Sequence, residues 1–335
     1  MLVERLKYHF QSKTILVLGD VMVDAYRWGR VSRISPEAPV PVLDLEEKEN
    51  RLGGAANVAL NLKGLGAGTF VFSVIGKDEG SGIFMQLMEE ADLSTEGIIE
   101  SPYRKTTVKT RLIANNNHLL RVDEEQTNEL SKELENELFE RIESFCGSMR
   151  PDAIIFEDYD KGVLSEGLIF RVMKLALEMD IFTAVDPKKR NFLHYHYVNL
   201  FKPNFRELVE GLHVTAKAND LPSLTEALNM LHSKIHNKNT LLTLSEHGLM
   251  LYDSKQMIHF PALKRSIADV SGAGDTVIAV ATLGMISGLS MAETAWISNL
   301  AGGFVCEKPG VYSISIEELK EELIQHPIPH KHLQQ

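Results

Sequence analysis

Five short apolar runs, separated by stretches with helical spacing, set the tightest limit on how this chain folds. Residues 14–18 (Thr-Ile-Leu-Val-Leu), 70–75, 153–156, 182–185 and 240–244 read as buried strands. Residues 55–65, 83–91, 134–145, 168–179 and 224–236 read as helices. Ser223 with Glu226, and Ser315 with Glu318, suit capping boxes. Strands alternating with helices predict an α/β fold: a mainly parallel sheet covered on both faces. At 335 residues the chain has room for one large domain of this kind. Residues 40–45 and 106–113, the latter continuing through 118–122, are β-rich and lack an intervening helix. They predict a small separate sheet, with strands at about 31–50 and 103–123, projecting as a lid that excludes water from a cleft. An edge extension of the main sheet is the alternative. Residues 326–335 read as a mobile tail.

The bulk numbers exclude several functions. A formal net charge of -11 argues against a nucleic-acid partner, whose phosphates need a basic face. No run approaches the ~18 apolar residues of a membrane span, and the first dozen residues do not resemble a signal peptide. Two cysteines suggest no disulfide framework and fit a reducing cytoplasm.

The chemistry concentrates in Asp269-Val270-Ser271-Gly272-Ala273-Gly274-Asp275-Thr276, which precedes an apolar helical stretch. Its glycines allow a tight turn and close approach of a ligand. A helix starting there presents free N–H groups and the positive end of its dipole to an anion. Asp275 at that entrance can take a proton from an attacking hydroxyl while the N–H groups hold a phosphoryl group. The arrangement suits a sugar-type kinase and differs from a Walker loop. An ordinary loop-to-helix junction, with Asp275 as a first-turn acid, is the competing reading.

Other segments add to it. Asp20 and Asp24 follow the first strand, where ligands of open α/β sheets bind, and can accept hydrogen bonds from sugar hydroxyls. Asp24 equally suits a turn cap. Gly53-Gly54 opens a helix carrying Asn57, a donor and acceptor for a polyol. Asn204 and Glu207, three apart on a first helical turn, suit Mg²⁺ held through water, and Asn204 also suits a simple N-cap. Ser245 and Gly248 lie in a polar turn after a strand, fit for a nucleotide.

Together these segments resemble the ribokinase-like (PfkB) carbohydrate kinase family along nearly the whole chain. The stretches 19–24, 31–42, 53–59, Lys109-Thr110-Arg111 and 120–123 are similar to its D-glycero-D-manno-heptose 7-phosphate kinases, as is Asp158-Tyr159-Asp160-Lys161-Gly162. The resemblance implies transfer of the ATP γ-phosphoryl group to the anomeric hydroxyl of heptose 7-phosphate, in ADP-heptose and lipopolysaccharide-core synthesis. It implies Asp275 as general base, with the N–H groups of Gly272, Ala273 and Gly274 as anion hole. Asn204 and Glu207 would organise Mg²⁺ and phosphate. Asp20, Gly54 and Asn57 would meet the sugar, and Ser245 and Gly248 the nucleotide. Asp269 and the Lys308-Pro309-Gly310 turn are where a monovalent cation, K⁺, is expected. A substrate that already carries a phosphate needs a positive clamp, with Lys161 first and Lys188, Lys189, Arg190, Arg33, Lys109 and Arg111 as further candidates. Lys189 stands where many relatives have glycine, and Ser271 replaces the commoner threonine. With no nucleotidyltransferase signature in the sequence, a kinase alone is expected, paired as a homodimer through its lid sheets.

Three rival readings remain: a kinase for another sugar or nucleoside, a non-catalytic sugar-binding protein, and a nicotinamide-dependent oxidoreductase. The last lacks Gly-x-Gly-x-x-Gly after the first strand.

Overall fold

The computed structural model describes residues 2–115 and 117–329; residues 330–335, most of the expected tail, lie outside the described residues. The chain opens with α1 (Leu2–Gln11), β1 (Thr14–Gly19), β2 (Val21–Ile34), β3 (Pro41–Gly54), α2 (Ala55–Gly64), β4 (Gly68–Ile75), α3 (Glu79–Glu90) and β5 (Ile98–Glu100). It continues with β6 (Thr107–Ala114), β7 (Asn117–Glu124), α4 (Lys132–Met149), β8 (Ala153–Glu157), α5 (Glu166–Glu178), β9 (Phe182–Asp186), β10 (Leu200–Phe201), α6 (Phe205–Leu212) and α7 (Leu221–Ile235). It closes with β11 (Asn239–Thr243), β12 (Leu249–Tyr252), β13 (Met257–Phe260), α8 (Ala273–Ile286), α9 (Met291–Val305) and α10 (Ile316–Gln325).

Nine strands form the main sheet in the order β13-β12-β11-β10-β9-β8-β1-β4-β5. All its pairs are parallel except those made by β12. Alternate residues of β1 feed two cores. Ile15 and Val17 pack with residues of α1, α2, α3, α8, α9 and α10, while Leu16 and Leu18 pack with α4, α5, α6 and α7. The run is apolar on both faces because both faces are covered. From β1 the chain works outward through β4 and β5, then returns to add β8, β9, β10 and β11 on the other side. That reversal puts a crevice at the carboxyl ends of β1 and β8, where α/β sheets bind ligands. The two strands approach so closely there that a side chain at Gly19 would meet the Glu157 carbonyl oxygen at 2.0 Å.

The second sheet has the order β3-β2-β6-β7, with β2 and β6 parallel and the outer pairs antiparallel. It begins earlier than the sequence suggests, at Val21, one residue beyond Asp20. Charge at the exposed ends of β2 and β3 hides their full length from a search for apolar runs. The expected Ser223–Glu226 capping box is replaced by Asp220, whose side chain accepts from Ser223 N at the start of α7. The Ser315–Glu318 box forms with both reciprocal bonds.

Candidate active site

Asp275 stands in the first turn of α8, after Gly272 in the left-handed region (φ 79°). From Asp275 to Gly284 every residue of this helix is buried, since α2 and α9 pack against it. Asn57 in the first turn of α2 donates Nδ2–H to Asp275 Oδ2 (2.7 Å), and the Tyr159 hydroxyl lies 2.8 Å from Oδ1. One turn on, Thr276 donates to Asn61 Oδ1 (2.9 Å), so the α2–α8 contact is polar where it reaches the crevice. Ala273 N–H is directed to Val270 O at 3.3 Å. The N–H groups of a first helical turn otherwise lack intrahelical acceptors. Gly274 lies beside a charged pair: a side chain there would meet Asp186 Oδ2 and Lys202 Nζ, each at 3.4 Å.

Glu157 ends β8 and Asp186 ends β9, so parallel strands deliver both acids to the crevice. Single oxygens of Glu157, Asp186 and Asp275 lie within 4.8 Å of one another. Lys202 neutralises Asp186 at 2.7 Å, and Lys188 lies 3.4 Å from Asp186 and 3.0 Å from Glu207. Burial would lift Asp186, but the two lysines outweigh it and hold this carboxyl below its ordinary value. Burial pushes Asp275 up to about 6, offset by Asn57 and Tyr159 and reinforced by Asp186. Glu157 is raised well above its ordinary range by burial, then by Asp186 and Asp275. Among the described residues, its two buried carboxyl oxygens have no hydrogen-bond partner.

The other expected residues fall into place as follows. Asp20 is 1% exposed and accepts three backbone N–H bonds: Oδ2 from Tyr159 (2.9 Å) and Lys161 (3.0 Å), Oδ1 from Val163 (3.0 Å). Both oxygens are thus engaged by the loop after β8. Asp24 lies on β2 and pairs with Arg111 on β6, and Gly53 leaves room for it, since a side chain there would meet Asp24 Oδ2 at 2.2 Å. Gly54 turns the chain from β3 into α2 at φ 60°. Lys161 pairs with Glu125 (2.8 Å). Lys109 and Lys188 lie 5.6 and 5.1 Å from the Tyr159 ring centroid. Arg190 donates to Thr127 O, while Arg33 and Lys189 are exposed.

Asn204 and Glu207 form a reciprocal capping box on α6, and Glu207 also holds Lys188. Ser245 and Gly248 bound a turn at the end of β11, both at positive φ. Asp269 accepts from Ser271 N (2.9 Å) and Gly310 N (3.2 Å), which joins the two segments expected at a cation site. Glu157, Asp186 and Lys202 were not singled out from the sequence. The available signal was an acid closing an apolar run, with a lysine just past the next strand.

Residues 12–319 match the model of the pfkB family carbohydrate kinases. The chain is 37% identical over 311 residues to the Bifunctional protein HldE of Citrifermentans bemidjiense, covering 92% of this chain and 63% of that protein. It is 39% identical over 322 residues to that of Methylobacillus flagellatus, covering 96% and 65%. It therefore spans less than two thirds of the length of these relatives. Two solved structures share the fold. One is Arabidopsis thaliana ribokinase complexed with ribose and ATP (TM-score 0.73, 14% identity, 93% of this chain and 98% of that one). The other is Escherichia coli phosphofructokinase-2 in complex with potassium (TM-score 0.77, 16% identity, 93% and 99%). With a family model matched over nearly its full length and an acid-bearing helix entrance at the switch point of its sheet, the chain belongs to the pfkB family of carbohydrate kinases, phosphotransferases that act on a sugar hydroxyl.

Proposed function

We propose that this kinase transfers the ATP γ-phosphoryl group to the anomeric hydroxyl of D-glycero-D-manno-heptose 7-phosphate, in cytoplasmic ADP-heptose synthesis. The observation that carries the reading is Asp275: a buried carboxyl near pKa 6 at a helix entrance, oriented by two donors. It takes the proton of the attacking hydroxyl while the first-turn N–H groups of α8 face the transferring phosphoryl. Catalysis is then mainly positioning and charge stabilisation. A substrate already bearing phosphate fits the cations gathered at Tyr159: Lys109, Lys188 and nearby Lys161, with Arg111 beyond. Burial and the like charge of Lys161 lower the Lys109 pKa, a strain that an incoming phosphate would relieve. The likeness to proteins named HldE supports the same substrate.

For Mg²⁺, both Glu207 oxygens are already engaged, which fits contact through water. The orphaned Glu157 carboxyl beside Asp186 also fits a cation's ligand sphere. When bound, the ion neutralises charge on the phosphates. The Asp269–Gly310 turn is the proposed place for K⁺. All eight residues of β7 are exposed, Leu119, Leu120 and Val122 among them, so the small sheet serves as lid and as the surface for a second copy. A panel of sugar phosphates, free sugars and nucleosides, assayed with and without potassium, tests the assignment. Heptose 7-phosphate should exceed every other acceptor at least tenfold in kcat/KM; preference for fructose phosphate or a nucleoside would replace this reading.

A further inference from the structure

We propose that Tyr159, locked in place by Asp20, is a positioning residue that fixes the Asp275 carboxylate toward the incoming hydroxyl. The inference rests on the reading of Asp275 as base. A carboxylate accepts up to about four hydrogen bonds. Asn57 takes one site on Oδ2 and Tyr159 one on Oδ1, from opposite sides of the group. Rotation of the carboxylate would break one bond or the other, and each oxygen keeps a further lone pair for a sugar hydroxyl.

The tyrosine itself is held from three directions. The loop after β8 turns through two positive-φ residues, Asp160 (56°) and Gly162 (89°), so that its N–H groups converge. The Asp20 carboxylate receives three of them, Tyr159 N–H among them. Lys109 from the small sheet and Lys188 from the loop after β9 each lie within cation–π range of the ring. Asp20 thus acts on the base without touching it, through the loop it anchors.

A phenol donating to Oδ1 favours the charged carboxylate over the acid. Burial pushes the phenol's own pKa well above its ordinary value, so it stays a donor throughout the working range. The other groups facing Asp275 are Asn57 on α2, Glu157 and Asp186 at the strand ends, and Lys202, and none changes when the phenol oxygen is removed. Tyr159→Phe should therefore raise the Asp275 midpoint above 6.

The test is a ¹³C-carboxyl NMR titration of the full chain, wild type against Tyr159→Phe, read alongside kcat across pH for whichever acceptor the enzyme uses. The NMR arm needs no substrate, so a failed heptose assignment and a failed positioning role give different results. We expect the midpoint and the acid limb of kcat to move up together by about one pH unit, with KM changed less than about twofold. Asp20→Asn puts an amide where three N–H groups need acceptors. It should move the midpoint in the same direction, and combining it with Tyr159→Phe should add almost nothing. If Asp20→Asn does not fold, Tyr159→Phe alone decides. A midpoint that stays within about 0.3 units in Tyr159→Phe, or a loss of kcat uniform across pH, overturns the proposal.

Discussion

Replacing Asp275 by asparagine should make the protein more stable and nearly inactive, by amounts that follow from its burial. The carboxyl sits at about 6 in the fold against an ordinary 3.8. Between those values the native state binds the extra proton, so stability falls as pH rises through the window and then levels off. At about 1.36 kcal/mol per unit, the ionised carboxylate costs on the order of 3 kcal/mol at pH 8 and about half of that at pH 5. An amide has nearly the shape of the protonated acid: its oxygen can accept from Asn57, and its nitrogen can donate to the Tyr159 oxygen. The variant should therefore gain about 3 kcal/mol at pH 8 in urea unfolding, shrinking to about half at pH 5. Turnover should drop by about 10²–10⁴, the usual contribution of a general base. Near-normal phosphotransfer would remove Asp275 from the mechanism. A stability change that is flat with pH, or a loss at pH 8, would refute the electrostatic account.

Two further substitutions probe the surroundings. Lys202→Met strips Asp186 of its 2.7 Å partner in a nearly water-free site and should cost about 3–5 kcal/mol in urea unfolding; adding Asp186→Asn should recover over half of that, and no recovery would mean the lysine acts by packing. Gly272→Ala forces a side chain into φ 79°, 2.8 Å from Asn57 Nδ2. It should cost about 1–3 kcal/mol and lower kcat by displacing Asn57 from the base, whereas unchanged kcat would show that Asn57 does not need its present place.

What could be read from the sequence divides along burial. The strands at 14–19, 153–157 and 182–186 are legible because their residues are apolar on both faces, and helix ends are legible where a cap is short-range, as at Ser315. Of the long strands, β3 is legible around 40–45, while β2 is largely not: Arg27 to Arg33 carries too little apolar content, although the first six residues of the strand are buried. Ser223 misleads because Asp220, three residues earlier, bonds it across Pro222. In the site, Asp275 stands out through its glycines. Tyr159 appears in the sequence only as part of a motif read for Lys161, and Glu157 and Lys202 give only a faint signal at strand ends, because their roles depend on which strand ends the topology makes adjacent.

That adjacency explains the charge balance of the crevice. Parallel pairing of β8 with β9 sets Glu157 opposite Asp186, and α8 brings a third acid to them. Three ionised carboxylates in so small a space would repel one another strongly, since nothing there screens them as water does. Lys188 and Lys202 supply two positive charges, and Lys188 is shared with Glu207, so the lysines do not balance all the acids around them. Glu157, whose oxygens find no hydrogen-bond partner among the described residues, is the acid raised well above its ordinary range by burial and by its two acidic neighbours. Asp275, with Asn57 and Tyr159 directed at it, is left as the group that ionises near neutrality. On the proposed assignment of Asp275 as base, its two donors are what distinguish it from the neighbouring acids.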